Sequence, residues 1–251
     1  MTVEFKIANR SIHPEQLLSC LAGYQMLPNL VQEILVDDAI AQIVCTEDEK
    51  AAACQQFYTQ HQLGEEAGRQ AWLNQYGMTP DQLEALATRE LRIEKFKQET
   101  WGGKLESYFL QRKSSLDKVI YSLIRVKDPG IARELYFRIS EGEQPLSELA
   151  REYSQGVEAQ TDGLIGPVEL SVPHPVLAQI LASSQPGDLA PPTQVGEWVV
   201  LVRLERFMPA QLDDAMRSRL LNECFQTWLN EQLAQVDLHA IQHPPTVSVA
   251  P

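Results

Sequence analysis

Apolar residues recur at helical spacing up to about Leu116, give way there to the strand-like run DKVIYSLIRVKD, and resume helical spacing only past Pro209. Periods of 3.6 and 2 bury different faces, so neither a uniform bundle nor a continuous sheet satisfies both patterns. A second strand-like run, VVLVRL at 199–204, follows the turn Pro186-Gly187 and the pair Pro191-Pro192, which cannot continue a central strand. Between the two runs, ARELYFRISEGEQPLSELAREYS reads as two helices broken by Gly142 and Pro145. TDGLIGPVELSVPHP reads as a glycine-spaced loop and VLAQILAS as a further helix. In the first strand Val119, Tyr121 and Leu123 share one face, and Ile120, Ser122 and Ile124 the other. This middle stretch is therefore expected to be a compact α+β unit.

The flanks are expected to be helical. Residues 3–12, VEFKIANRSI, alternate as a short strand, and Pro14 then opens a helix to about Tyr24. In NLVQEILVDDAIAQIV the residues Leu30, Ile34, Leu35, Ala39, Ile40 and Ile43 form an apolar stripe. Thr46 and Glu49 make a capping box, each side chain satisfying an orphan backbone N–H, which starts the helix AAACQQFYTQHQ. A helix over Ala67–Tyr76 ends at Gly77. Thr79 then caps a long helix, DQLEALATRELRIEKFKQETW, with Pro80 in its first turn. Gly102-Gly103 permits a break before KLESYFLQRK. Past Pro209, Leu212, Met216, Leu220, Leu221, Phe225, Trp228, Leu229 and Leu233 make a stripe too wide to stand uncovered. The N-terminal helices have the surplus apolar faces to cover it. The expected organisation is a mainly helical domain formed by both chain ends, 1–113 with 209–251, and an inserted α+β domain over 114–208.

Charge narrows the partners. Thirty-four acidic residues against 21 basic ones give a net charge of -13. Phosphate backbones need clustered Lys and Arg, so nucleic acid and other polyanions are not expected as ligands. The stretch MTVEFKIANRSIHPEQLL lacks a basic segment followed by an apolar run, so no secretory signal is read there, and no apolar run reaches the length of a membrane span. Cys20, Cys45, Cys54 and Cys224 are scattered, without a C-x-x-C pair, and read as thiols of a reducing compartment, with the cytoplasm as the expected location. His239 and His243 stand four apart, but the stretch ends in two prolines and a metal is not expected there; no cofactor is expected either. Asp37-Asp38 reads as a solvated face.

The ordered set SELAREYS, DGLIG, PGDLAPP and VGEWVVLVRLER, with the strand VIYSLIRVK and the helix segment IEKFKQ, resembles the parvulin-type peptidyl-prolyl isomerases that carry a SurA-like chaperone region. The resemblance runs from about Leu30 to Val236. It implies an α+β fold in which a parvulin-like domain is inserted into a mainly helical SurA-like domain, and a partner that is an unfolded or proline-containing polypeptide.

What the resemblance implies for the site departs from the family at three positions. Where parvulins carry a histidine on the first strand stands Leu123. Where the loop carries Asp or Cys stands Leu164, and where the last strand opens Gly-aromatic-His the third position is Trp198. The loop's usual Met and Phe are replaced by Ser171-Val172-Pro173-His174-Pro175. Rotation about an X-Pro bond faces a barrier of about 18–20 kcal/mol, and lowering it takes oriented hydrogen bonds and a desolvated, twisted amide. An apolar floor of Leu123, Leu164 and Trp198 keeps the desolvation and loses most of the hydrogen bonding. Peptide contact is expected from Tyr121, Trp198, Val172, His174 and Ile180. Each has a plainer alternative: Trp198 a core or rim plug, Tyr121 core, His174 a solvated loop residue. The expected function is a polypeptide-binding chaperone or escort whose isomerase domain is weak or inactive. The alternatives are an active isomerase, or an adaptor docking to one partner such as a secretion or maturation machine.

Overall fold

The structure is a computed structural model and describes residues 5–7 and 10–237. The described residues fall into two compact units. Those up to Leu105, with those from Arg217 on, form one; Glu106–Met216 form the other.

The first unit is helical apart from a hairpin, β1 (Phe5–Ile7) with β2 (Arg10–Ile12), where one continuous strand was expected. Helix α1 (Pro14–Gly23) starts with proline in its first turn, and α2 (Leu27–Ile40) follows. The buried side of α2 is Leu27, Val31, Val36 and Ile40, while Leu30 and Ile34, expected in the stripe, are exposed. Two apolar rows lie side by side on this helix, and the row one position further round is the one that packs. Helix α3 (Glu47–Gln60) begins with the expected capping box: Thr46 N–H donates to Glu49 Oε2 at 2.8 Å, and Glu49 N–H donates to Thr46 Oγ1 at 3.3 Å. Helix α4 (Glu66–Tyr76) ends at Gly77 in the left-handed conformation.

The expected long helix is two, α5 (Pro80–Ala87) and α6 (Arg89–Trp101). Buried Thr88 separates them, its hydroxyl donating back to the Glu84 carbonyl at 2.8 Å, a bond that competes with the helical ladder. Within the same unit Phe96 and Trp101 meet Phe225 and Trp228, with ring centroids 5.3–6.4 Å apart. The last two stand on the C-terminal helix, numbered α11 (Asp214–Gln235). The C-terminal stripe is thus covered by the N-terminal helices, through edge and tilted contacts that such rings favour. His239 and His243 lie outside the described residues.

The second unit is entered through α7 (Leu105–Leu116). Its sheet comprises β3 (Lys118–Val126), β4 (Leu164–Glu169), β5 (Thr193–Val195) and β6 (Trp198–Met208), ordered β4-β3-β6-β5 with every neighbouring pair antiparallel. The stretch expected as a loop around Gly163 and Gly166 therefore supplies an edge strand. Ile165 and Val168 both face the core although they stand three apart, because the pairing with β3 shifts register between them, so no period of 2 is visible in the sequence. Helices α8 (Pro129–Ser140) and α9 (Leu146–Tyr153) pack Ala132, Leu135, Leu146, Leu149 and Ala150 on one face, against Ile124, Val126, Val199 and Leu201. Helix α10 (Pro175–Ser183) packs Leu177 and Leu181 on the other, against Val119, Tyr121, Leu123, Val200, Val202 and Leu204. The two faces of β3 are those its alternation dictates. The mainly helical first unit, drawn from both chain ends around an α+β unit, is the fold class expected.

Candidate functional site

The face covered by α10 carries two of the three positions that the resemblance assigns to the site, Leu123 and Trp198. Leu123, 3% exposed, lies at the middle of β3 opposite Val202 of β6, and its backbone N–H donates to the Gly163 carbonyl at 2.9 Å. Tyr121 is 5% exposed and belongs to the same apolar cluster. Burial pushes its phenol above the ordinary range; the nearby Arg125 charge works against this and Glu158 adds to it. The ring cannot serve as a base at neutral pH.

Trp198 opens β6 and packs half-buried on the cluster. Its neighbour across the sheet end is Lys127, whose Nζ sits 5.0 Å from the indole centroid and 3.1 Å from a Glu197 carboxylate oxygen. The indole is therefore packed from the core side and carries a cation on its ring, an arrangement that orients it at the rim. Ile180 joins the same cluster from α10.

The remaining candidates stand apart from this cluster. Leu164 pairs across from Ser122 at the start of β4 and is 50% exposed. Val172 is 69% exposed. His174 is exposed and caps α10, its Nδ1 accepting from the Val176 N–H at 3.3 Å. That bond fills one of the orphan donors of the helix start and gives the imidazole a structural task. The structure thus brings together Tyr121, Leu123, Ile180 and Trp198, and leaves Leu164, Val172 and His174 at the surface.

The loop that delivers Leu164 is held from beneath. Glu158, whose side chain is fully buried, receives Arg125 Nε at 2.7 Å, Arg125 NH2 at 2.6 Å and the Ser154 hydroxyl at 2.6 Å. Ser154 in turn accepts from the Arg125 N–H at 3.0 Å. Sequence reasoning missed this buried charge, although Arg125 on an otherwise apolar strand face is a signal that an acid must meet it. It also missed a cavity of about 470 Å³ at the end of α10, bounded by Ile180, Ser183, Ser184, Asp188, Leu189 and Pro191. The PGDLAPP segment builds one of its walls, and Ile180 links it to the apolar cluster.

Residues 129–206 match the family described as Rotamase, the PPIC-type PPIase domain. The second unit is a parvulin-type domain. No curated protein sequence matches the chain. Among solved structures, the peptidylprolyl isomerase PrsA of Bacillus cereus aligns over 100% of this chain and 94% of its own, at 16% identity and TM-score 0.48. PrsA of Bacillus subtilis aligns over 98% and 93%, at 20% identity and TM-score 0.35. A Campylobacter jejuni structure described under the SurA-like chaperones PEB4 and Cj1289 aligns over 94% and 98%, at 14% identity and TM-score 0.37.

At the three positions that the resemblance assigns to polar residues, Leu123 and Leu164 offer only hydrocarbon and Trp198 only an indole N–H donor.

Proposed function

We propose that this chain is a polypeptide-binding foldase whose parvulin domain holds apolar or proline-bearing segments and contributes little or no catalysis of X-Pro isomerisation. The observation that carries the reading is Leu123, buried in the position that the resemblance assigns to a histidine and packed with Tyr121 and Trp198 in an apolar cluster. Tyr121 and Leu123 are core, so a proline ring meets the half-buried Trp198 at the edge of this cluster, by stacking and without the hydrogen bonds that favour the transition state. Trp198 is the stacking surface, and the exposed Lys127 that lies over its ring gives way to the incoming proline.

The test is the isomerisation rate of X-Pro tetrapeptides with and without the protein, run beside suppression of aggregation of unrelated unfolded proteins. The reading expects no more than about tenfold acceleration, against the roughly 10²–10⁴ that a positioned acid or base contributes, together with aggregation suppression that Trp198→Ala weakens. Robust acceleration that Trp198→Ala removes would establish an active isomerase instead. Protection of a single client and no other would establish an adaptor. Cys20, Cys45 and Cys54 are free thiols, which favours the cytoplasm as the place of action; cell fractionation that recovers the chain outside the cytoplasm would overturn that placement.

A further inference from the structure

None of the 14 residues of helix α3 is buried. A helix in a packed domain ordinarily hides one apolar stripe. Here the stripe instead forms the wall of a groove of about 660 Å³. Ala52, Ala53 and Phe57 line it from α3, and Leu86, Leu91 and Ile93 line it from α5 and α6. The alanines leave room for a partner's side chains close to the helix backbone, while Phe57, Leu86, Leu91 and Ile93 are each only half-buried and offer the apolar contact. The volume is that of sites that enclose a ligand the size of a few side chains.

Charge selects the occupant. The acids on the groove are Glu49, Glu90 and Glu94, and the cation is Arg89. Arg89 is already engaged, with NH2 2.6 Å from Glu33 and Nε 2.8 Å from Asp37. Glu49 and Glu94 have Lys95 and Lys97 at 2.7 and 2.6 Å, whereas exposed Glu90 has no ion-pair partner among the described residues. The chain leading into the groove deepens the negative field: residues 11–49 contain seven Asp and Glu and no Lys or Arg. Beyond Phe57 a row of rings continues outward. The Phe57 centroid lies 5.8 Å from that of Trp72, and Trp72 lies 4.3 Å from Tyr76, which is 56% exposed. Such faces attract ammonium and guanidinium groups. A second copy of this chain would set the same acids against each other, which disfavours self-association through this surface.

We propose that the groove between α3 and the α5–α6 corner seats a segment of an incoming polypeptide in which large apolar residues alternate with Lys or Arg. The apolar side chains fill the space between Phe57 and Leu91, and the flanking cations meet Glu90 and the Trp72–Tyr76 rings. This site lies within the helical unit and does not rest on the reading of the parvulin domain.

The experiment uses the full chain and a fluorescein-labelled peptide of repeated Leu-Lys-Ser-Leu, read by fluorescence anisotropy, with a counterpart carrying Glu for every Lys. The expected result is about tenfold or greater preference for the Lys peptide, an affinity that falls as salt is raised, and loss of binding in Ala53→Trp, which fills the groove. Glu90→Lys, at an exposed position where folding is unaffected, weakens the Lys peptide about threefold or more and narrows the preference over the Glu peptide. Phe137→Ser, which removes an exposed ring of the other unit, leaves both affinities unchanged. Equal affinity for the two peptides, indifference to Glu90→Lys, or loss of binding in Phe137→Ser would each overturn the proposal. So would concentration-dependent dimerisation in ultracentrifugation that Ala53→Trp abolishes, since the groove would then belong to a second copy.

Discussion

Arg125 grips both carboxylate oxygens of Glu158, Nε to Oε1 at 2.7 Å and NH2 to Oε2 at 2.6 Å, beneath the loop that carries Leu164. The Glu158 side chain is fully buried and Arg125 is about one-third exposed, so removing the acid leaves a cation that water can only partly solvate. Breaking such a pair from one side costs more than the pair contributes, because the orphaned charge stays behind. We predict that Glu158→Gln destabilises the protein by about 2 kcal/mol, below the full buried-pair figure because Arg125 reaches solvent. Urea unfolding measures it, and a change within about 0.5 kcal/mol would refute the account.

The same carboxylate gives a pH signature. Burial alone would raise its pKa, but the Arg125 guanidinium, the Ser154 hydroxyl and a backbone N–H together hold it below the ordinary carboxylate value of 4.5. The folded state therefore binds the proton more weakly than the unfolded chain, and stability from Glu158 is complete above the unfolded pKa and lost as pH falls through the folded one. The stability gap between wild type and Glu158→Gln is expected to stay constant from pH 7 down to about 5 and to shrink below that. A gap that widens on acidification would contradict the assignment.

Gly163 supplies a backbone test of the same loop. Its φ is +84°, and a Cβ there would stand 2.8 Å from the Ala150 Cβ and 3.0 Å from the Leu123 carbonyl oxygen. Gly142 also has positive φ, +74°, but open space around it. Gly142→Ala should cost about 1–2 kcal/mol from conformation alone. Gly163→Ala should cost measurably more, because α9 must also shift away from β3. Equal costs in thermal unfolding would show that the contact with Ala150 relaxes freely.

The sheet was legible where alternation was clean. Val119, Tyr121 and Leu123 on one face, Ile120, Ser122 and Ile124 on the other, predict the division of β3 between its two apolar faces. The edge strand β4 was not legible, because Gly166, Pro167 and a register shift against β3 interrupt its period. In α2 the sequence offers two adjacent apolar rows, and nothing local says that Val31 and Val36 turn inward while Leu30 and Ile34 stay out. At the site, Leu123 and Trp198 stand out in the sequence only through the family resemblance, which assigns polar residues to their positions. The cation over the indole could not be read, because Lys127 comes from the far end of another strand and only the fold brings them together. The α3 groove was hidden for a different reason. Its residues read only as a capped helix, and burial alone reveals that its apolar side stays open.

A final prediction concerns how the two chain ends hold one unit. Trp228 on α11 meets Phe96 at 5.3 Å and Phe225 at 5.6 Å, and Leu220 and Leu229 beside it are fully buried. Lys97 completes the seam, its Nζ 2.5 Å from Asn222 Oδ1 and 5.1 Å from the Phe225 ring. Trp228 is half-buried, so Trp228→Ala should cost about 2–3 kcal/mol, below the 3–5 kcal/mol of a fully enclosed aromatic. Asn222→Leu leaves the buried ammonium with Glu94 as its side-chain hydrogen-bond acceptor among the described residues and should cost about 1–2 kcal/mol. The two residues share the seam, so the double variant should depart from additivity by about 0.5 kcal/mol or more. Urea unfolding of the two single variants and the double variant closes the cycle. Strict additivity would mean that α11 is held at separate points and not by one cooperative aromatic seam.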